Sequence, residues 1–188
     1  MIIAQQKRKE NIAEYLLYLW QVEDLLRACH LDIDTVDKAV ISQYDVDDDT
    51  RRDIKEWYES LIKMMELENV RERGHIRVCH NVLIRLNDLH HQLLADQGRF
   101  PDYHADYYRT LPYIVQLRAS LPEDQRPSEL ETCFNVLYGV MVLHLQGKDI
   151  SQDTAAAIAQ ISHFIGLLSA YYKRDEEKPL FGDDLNDN

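Results

Sequence analysis

NIAEYLLYLWQVEDLLRAC, residues 11–29, is the stretch that decides the fold. At about 100° per residue its apolar side chains fall on one broad face of a helix, which is typical of a helix packed half against a core and half against water. Glu23 breaks this pattern because it lies inside the apolar arc, between Leu19 and Leu26. We expect Glu23 to be buried, and a buried carboxylate needs a hydrogen-bond partner or a cation.

The composition is that of a soluble globular protein of 188 residues, with 45% hydrophobic and 29% charged residues. The formal net charge of −12 argues against non-specific binding to nucleic acid or to an anionic membrane. Val136–Leu145 is the longest apolar run and is too short to span a bilayer, and the N-terminus lacks the apolar segment of a secretory signal. We expect no nucleic-acid partner, no membrane and no cofactor.

The three cysteines, Cys29, Cys79 and Cys133, lie far apart in the chain and beside apolar residues. An odd number of cysteines without a CxxC pair is typical of reduced, buried thiols. They indicate a cytosolic protein, since disulfides are rare in the cytosol.

Hydrophobic periodicity predicts an all-α fold, an irregular bundle of six or seven helices in a single domain over residues 1–173. Asp34 is the expected N-cap of the second helix, Ser128 opens a capping box, and Ser151 caps the last helix. Residues 174–188 are acidic and without a period, which predicts a disordered tail. The expected helices cover about residues 5–28, 35–43, 50–70, 75–96, 102–120 (with Pro112 inside), 128–146 and 151–173.

The last two helices have unusual faces. The first of them, around 134–145, is apolar nearly all round, which predicts a central position in the bundle. The second carries a stripe of small residues, which lets another helix approach closely. Because the connecting loop is short, we favour an antiparallel hairpin in which this stripe meets Thr132 and Gly139. A seam between two copies of the chain is the alternative. The small residues are Ala155, Ala159, Ser162, Gly166 and Ser169.

Four residues form the candidate buried polar site: Glu23, Arg27, His90 and His144. Arg27 follows Glu23 by four residues, the favourable order for a helical ion pair. A tyrosine or histidine of a facing helix is the alternative partner. His90 and His144 lie inside apolar arcs, where a histidine satisfied by its neighbours is more common than a functional one. No catalytic residue is predicted.

The acidic segment DVDDDTRRDIKE, residues 45–56, places carboxylates where an EF-hand loop needs calcium ligands, at Asp45, Asp47, Asp49, Asp53 and Glu56. Position six of that loop requires a residue that tolerates positive φ, normally glycine, but here it is the β-branched Thr50. A cap of the following helix by Asp48, Asp49 and Thr50 is the simpler interpretation.

Two segments fit the arginine–histidine spacing of small all-α ribonucleases of the HEPN type, namely Arg85 to His90 and Arg73 to His80. The spacing is weakly specific because the chain is rich in both residue types. Arg85 also lies on a polar flank of its helix while His90 lies in the apolar arc, so we do not expect the two side chains to act together.

The opening MIIAQQKRKENIAEYLLYLWQVEDLLRA resembles the start of an uncharacterised family found in Bacteroidetes and described as a domain of unknown function, number 4924. The resemblance implies a cytosolic, helical, bacterial protein. It supplies no activity, cofactor or site residue.

The expected function is a non-enzymatic binding or protein-interaction module that self-associates. This expectation rests on the lack of a catalytic motif, the acidic charge and the small-residue stripe. The alternative is an enzyme with a site built between helices, either a metal-dependent hydrolase with His, Asp and Glu ligands or a HEPN-like ribonuclease.

Overall fold

A computed structural model describes residues 2–181 of the chain, which form eight α-helices and, within that range, no strand. The all-α prediction is confirmed. The helix count exceeds the predicted six or seven because the first predicted helix divides at Asn11, whose Oδ1 accepts a hydrogen bond from the Ala13 amide at 3.0 Å. The helices are α1 Ile2–Glu10, α2 Ile12–Ala28, α3 Ile33–Ala39, α4 Asp48–Leu67, α5 Arg77–Ala95, α6 Pro101–Ala119, α7 Glu129–Leu145 and α8 Gln152–Glu177.

Capping side chains fix where the helices begin. Ser128 and Ser151 cap α7 and α8 as predicted, by accepting amide hydrogen bonds from the residues three positions on. The prediction for α3 is wrong, because Asp32 rather than Asp34 accepts from the Thr35 amide, at 3.1 Å. In each case the cap is the extended residue just before the helix, as N-cap geometry requires.

The chain divides into two compact units, one of residues 1–9 and 14–82 and the other of residues 10–13 and 83–188. The first unit contains α3, α4 and a short 3₁₀ turn, Ile41–Gln43, all in mutual contact. Its core is made of fully buried apolar side chains, which remove the most apolar surface from water. They include Leu16, Trp20, Leu26, Ile41, Tyr58, Met65 and Ile76.

The second unit is built on α6, α7 and α8, each of which packs against the other two. Despite Pro112, α6 is one continuous helix. The fully buried side chains of this unit are mostly aromatic or leucine, and they include Leu86, Leu93, Tyr103, Phe134, Phe164 and Leu168.

The predicted central position of α7 is wrong for its C-terminal half. Cys133 and Phe134 are fully buried, but Leu143 is only half-buried and Leu145 is 75% exposed. Periodicity could not reveal this, because an apolar helix leaves the same pattern in the sequence whether a core or an interface covers its last turns.

The C-terminal boundary also differs from the prediction. Residues 174–177, assigned to the tail, form the last turn of α8. Beyond it, Arg99 donates a hydrogen bond to the Leu180 carbonyl oxygen at 2.7 Å, and the rings of Phe100 and Phe181 lie 5.5 Å apart. The remainder of the predicted tail, residues 182–188, lies outside the described residues.

Candidate functional site

Glu23 is buried as predicted, with 2% of its surface exposed. Its Oε2 lies 2.5 Å from Nδ1 of His75, and its Oε1 accepts the Ile76 amide at 2.8 Å. The Cys79 thiol donates a weaker hydrogen bond to Oε1 over 3.9 Å. Because two donors other than His75 already point at Oε1, the carboxylate is an acceptor, and Nδ1 of His75 carries the proton between them.

Arg27 is not the partner of Glu23, although the sequence favoured that pair. Its Nη1 donates instead to the Asp24 carboxylate at 2.8 Å, and its Nη2 donates to the carbonyl oxygens of Val70 and Gly74. Arg27 therefore fastens the 70–74 loop to α2. The histidine alternative for Glu23 is the one that the structure contains.

The segment that precedes α5 explains why His75 reaches Glu23. Gly74 has φ +87°, in the left-handed region that glycine occupies without strain. The His75 ring then stacks on Trp20, with ring centres 4.2 Å apart and planes 13° apart. Stacking and hydrogen bonding together hold the imidazole in one orientation.

His75 lines a small depression of about 320 Å³ together with His80 and Glu68. An imidazole whose Nδ1 is held by a carboxylate presents Nε2 as a base or a metal ligand. Two features limit this chemistry. Within residues 2–181 no group of three or more His, Cys, Asp and Glu side chains is arranged to hold a metal ion. Burial, and then the Glu23 carboxylate, raise the pKa of the Cys79 thiol, so Cys79 is protonated and not a nucleophile.

The other two candidate residues lie apart from each other. His90 is buried and lies 2.6 Å from the Tyr103 hydroxyl, between the rings of Tyr107 and Phe164. Burial lowers the pKa of His90 to about 4, so the ring is neutral at pH 7. His144 is exposed, so its predicted burial is wrong. The reason is that the last turn of α7 emerges from the core.

The acidic segment 45–56 is mostly helical. Asp47 is the N-cap of α4 and accepts the Thr50 amide at 2.7 Å, so Asp48, Asp49 and Thr50 lie in the first turn rather than capping it. Asp49, Asp53 and Glu56 are thus on α4, and residues 45–56 do not adopt the loop that an EF-hand needs.

The two arginine–histidine spacings also differ in placement. Arg85 is exposed, pairs with Glu176 at 3.3 Å and lies over the Tyr172 ring, while His90 is buried against Tyr103. Arg73 and His80 are both exposed.

A buried carboxylate that the sequence did not single out is Asp106 on α6, which is 1% exposed. Its Oδ1 accepts hydrogen bonds from Arg109 at 2.7 Å and from Gln160 of α8 at 3.1 Å. His163 lies 3.7 Å from the same oxygen. Asp106 stands in the sequence among tyrosines, with no periodic signal to mark it as internal. Its contacts join α6 to α8.

The small-residue stripe of α8 faces solvent. Ala155, Ala159, Ser162 and Gly166 are exposed, as is Ala170 one turn on. The favoured hairpin is therefore wrong in its faces. Although α7 and α8 pack together, a side chain at Gly139 or Gly166 would meet nothing within 4 Å. The small stripes of the two helices do not interlock.

Of the described helices, α8 is the one long and apolar enough to cross a membrane by length and composition, with a mean hydropathy of 1.2 and 33% of the apolar window buried. This is weak evidence, because the core helix of a soluble protein passes the same test. The packed face of α8, with buried Phe164, Ile165 and Leu168, accounts for much of that apolar character.

The family described as "Domain of unknown function (DUF4924)" matches residues 1–179. The chain belongs to this family. No curated protein and no solved structure matches the chain. The domain of unknown function thus covers both compact units, and its activity has to be inferred from the surface and the interior described above.

Proposed function

We propose that this member of the family is a non-enzymatic protein-interaction module that self-associates through the exposed face of α8. The observation that carries the proposal is that five small side chains form one solvent-facing stripe on a helix of 26 residues. Surface helices normally present charged or long polar side chains to water. A face without them is typical of a surface that another protein covers.

The chemistry of the buried groups supports a binding role rather than an enzymatic one. Glu23 is saturated by donors from its own unit, His90 is held neutral in an aromatic cluster, and the thiols of Cys29, Cys79 and Cys133 are free and buried. Such groups stabilise a fold without contacting a substrate. Reduced cysteines of this kind suit a cytosolic protein, which is the location we propose.

Light scattering of the purified chain tests self-association. We expect the mass to rise above that of one chain at high micromolar concentration. Ala159→Glu places a charge in the stripe and should return the protein to a monomer. Ala119→Glu, at the exposed end of α6, adds the same charge elsewhere and should leave the association unchanged. A wild-type protein that stays monomeric at high micromolar concentration contradicts the proposal.

A further inference from the structure

We infer that the partner of the α8 face is a second copy of the chain, whose own α8 lies antiparallel to the first across a two-fold axis near Ser162. This inference rests on the proposed function and assigns the partner and its orientation.

The stripe has the spacing that close helix pairing requires. Residues 155, 159, 162, 166 and 170 alternate between steps of four and three along most of its length, so they stay on one face of α8. Alanine, serine and glycine leave little side chain between two helix backbones, which permits an interaxial distance near about 8 Å. Gly166 has open space around the position of a Cβ atom, so no other part of the described chain occupies that place.

The stripe is also nearly symmetric about its midpoint. Ala155 and Ala170 are equally far from the point between Ser162 and His163, and so are Ala159 and Gly166. In an antiparallel pair the small residue of one copy therefore meets a small residue of the other at every step. A two-fold interface needs this self-complementarity, because the same surface supplies both sides.

Charge favours the antiparallel orientation. No Asp, Glu, Lys or Arg occurs between Asp153 and Lys173, although the chain carries a formal net charge of −12. The stripe is thus a face on which two acidic copies can meet without opposing charges. At its ends, Asp149 and Asp153 precede or begin α8, while Lys173 and Arg174 lie in its last turns. Antiparallel pairing puts the acidic end of one helix beside the basic end of the other, whereas parallel pairing puts like charges together.

The size of the face predicts a weak and exchanging dimer. The stripe is about 22 Å long at 1.5 Å per residue, and one helix in width gives about 220 Å². Exposed Leu145 at the end of α7 enlarges the apolar surface. Even a doubled area remains below the roughly 800 Å² per partner of a stable complex. A lipid surface fits less well, because membrane-bound helices present large apolar side chains rather than alanine and glycine.

Cysteine cross-linking tests the orientation on the full chain. All three native cysteines are buried, so a new surface thiol reports on its own position. Ser162→Cys lies near the axis, and mild oxidation should link it to its own copy. Ala155→Cys and Ala170→Cys should each fail to link to themselves, because like positions are about 22 Å apart in the antiparallel pair. A mixture of these two variants, one carrying a size tag, should give the mixed dimer.

The outcomes separate the two proposals. Self-linking of both Ala155→Cys and Ala170→Cys without a mixed dimer shows a parallel pair and overturns the inference. A dimer in light scattering that gives no link at any of the three positions overturns it as well, while self-association stands. A monomeric wild-type protein overturns the proposed function itself. Co-sedimentation of the monomer with phosphatidylglycerol vesicles, abolished by Ala159→Glu, assigns the face to lipid and also overturns the inference.

Discussion

Glu23 shows at the scale of one residue how a conflict with the local pattern is resolved. A carboxylate in an apolar arc is unfavourable unless donors replace the water that it loses. His75 and Ile76 supply those donors from a segment about fifty residues later in the chain. The position of Glu23 is therefore a condition that joins the pre-α5 segment to α2.

Replacing Glu23 by glutamine should lower the free energy of unfolding by about 1.5–3 kcal/mol, because hydrogen bonds to a charged group are lost in the interior. Urea denaturation measures the change. Glu14→Gln is the matched control on the same helix, since Glu14 is exposed and pairs with Lys7 at 3.0 Å. Its effect should stay below about 1 kcal/mol. Equal losses in the two variants would contradict a structural role for the Glu23 network.

His90 makes stability depend on pH. Its pKa falls from an ordinary value near 6.5 to about 4 in the folded protein, so the unfolded chain binds more protons between these values. Stability from this group is therefore complete above about pH 6.5 and falls as the pH drops towards 4. Between pH 7 and pH 5 the loss should be about 2 kcal/mol. Denaturation of His90→Gln should lack this part of the slope, and an unchanged slope would contradict a neutral buried His90.

At the scale of the element, the structure shows which helix boundaries depend on a backbone conformation. Gly74 adopts φ +87° and offers its carbonyl oxygen to Arg27, which lets His75 turn inward. Gly139 lies inside α7, where glycine has no such role, and the space beside it is open. The same residue type thus serves opposite ends in the two places.

Alanine at these positions should change stability in opposite directions. Gly74→Ala forces a side chain into the left-handed region and should cost about 1–2 kcal/mol. Gly139→Ala removes backbone freedom from the unfolded chain and should stabilise α7 by about 0.5–1 kcal/mol. Thermal unfolding at low protein concentration measures both. A Gly74→Ala protein as stable as the parent would show that the turn does not need glycine.

At the scale of the whole molecule, net charge opposes the association that we propose. Two chains of formal charge −12 repel each other over distances that salt screens. The pairing of end charges on α8 adds little in comparison, because exposed ion pairs contribute at most about 1 kcal/mol each.

Raising the salt concentration should therefore tighten the dimer. We expect the dissociation constant measured by sedimentation equilibrium to fall several-fold between low and physiological ionic strength. The Ala159→Glu variant serves as the control, because without the seam it should stay monomeric at both. A dimer that weakens with salt would mean that ion pairs, rather than the uncharged stripe, hold the two copies together.

The sequence by itself determined the all-α class, most of the helices, and the burial of Glu23 and His90. These follow from local rules, since periodicity and capping act within a few residues. Only the tertiary structure decided that His75 rather than Arg27 binds Glu23, that His144 is exposed, and that the small stripe of α8 faces solvent. Each of these depends on which faces meet across long separations in the chain. An apolar or small face has the same local pattern against its own core as against a second copy.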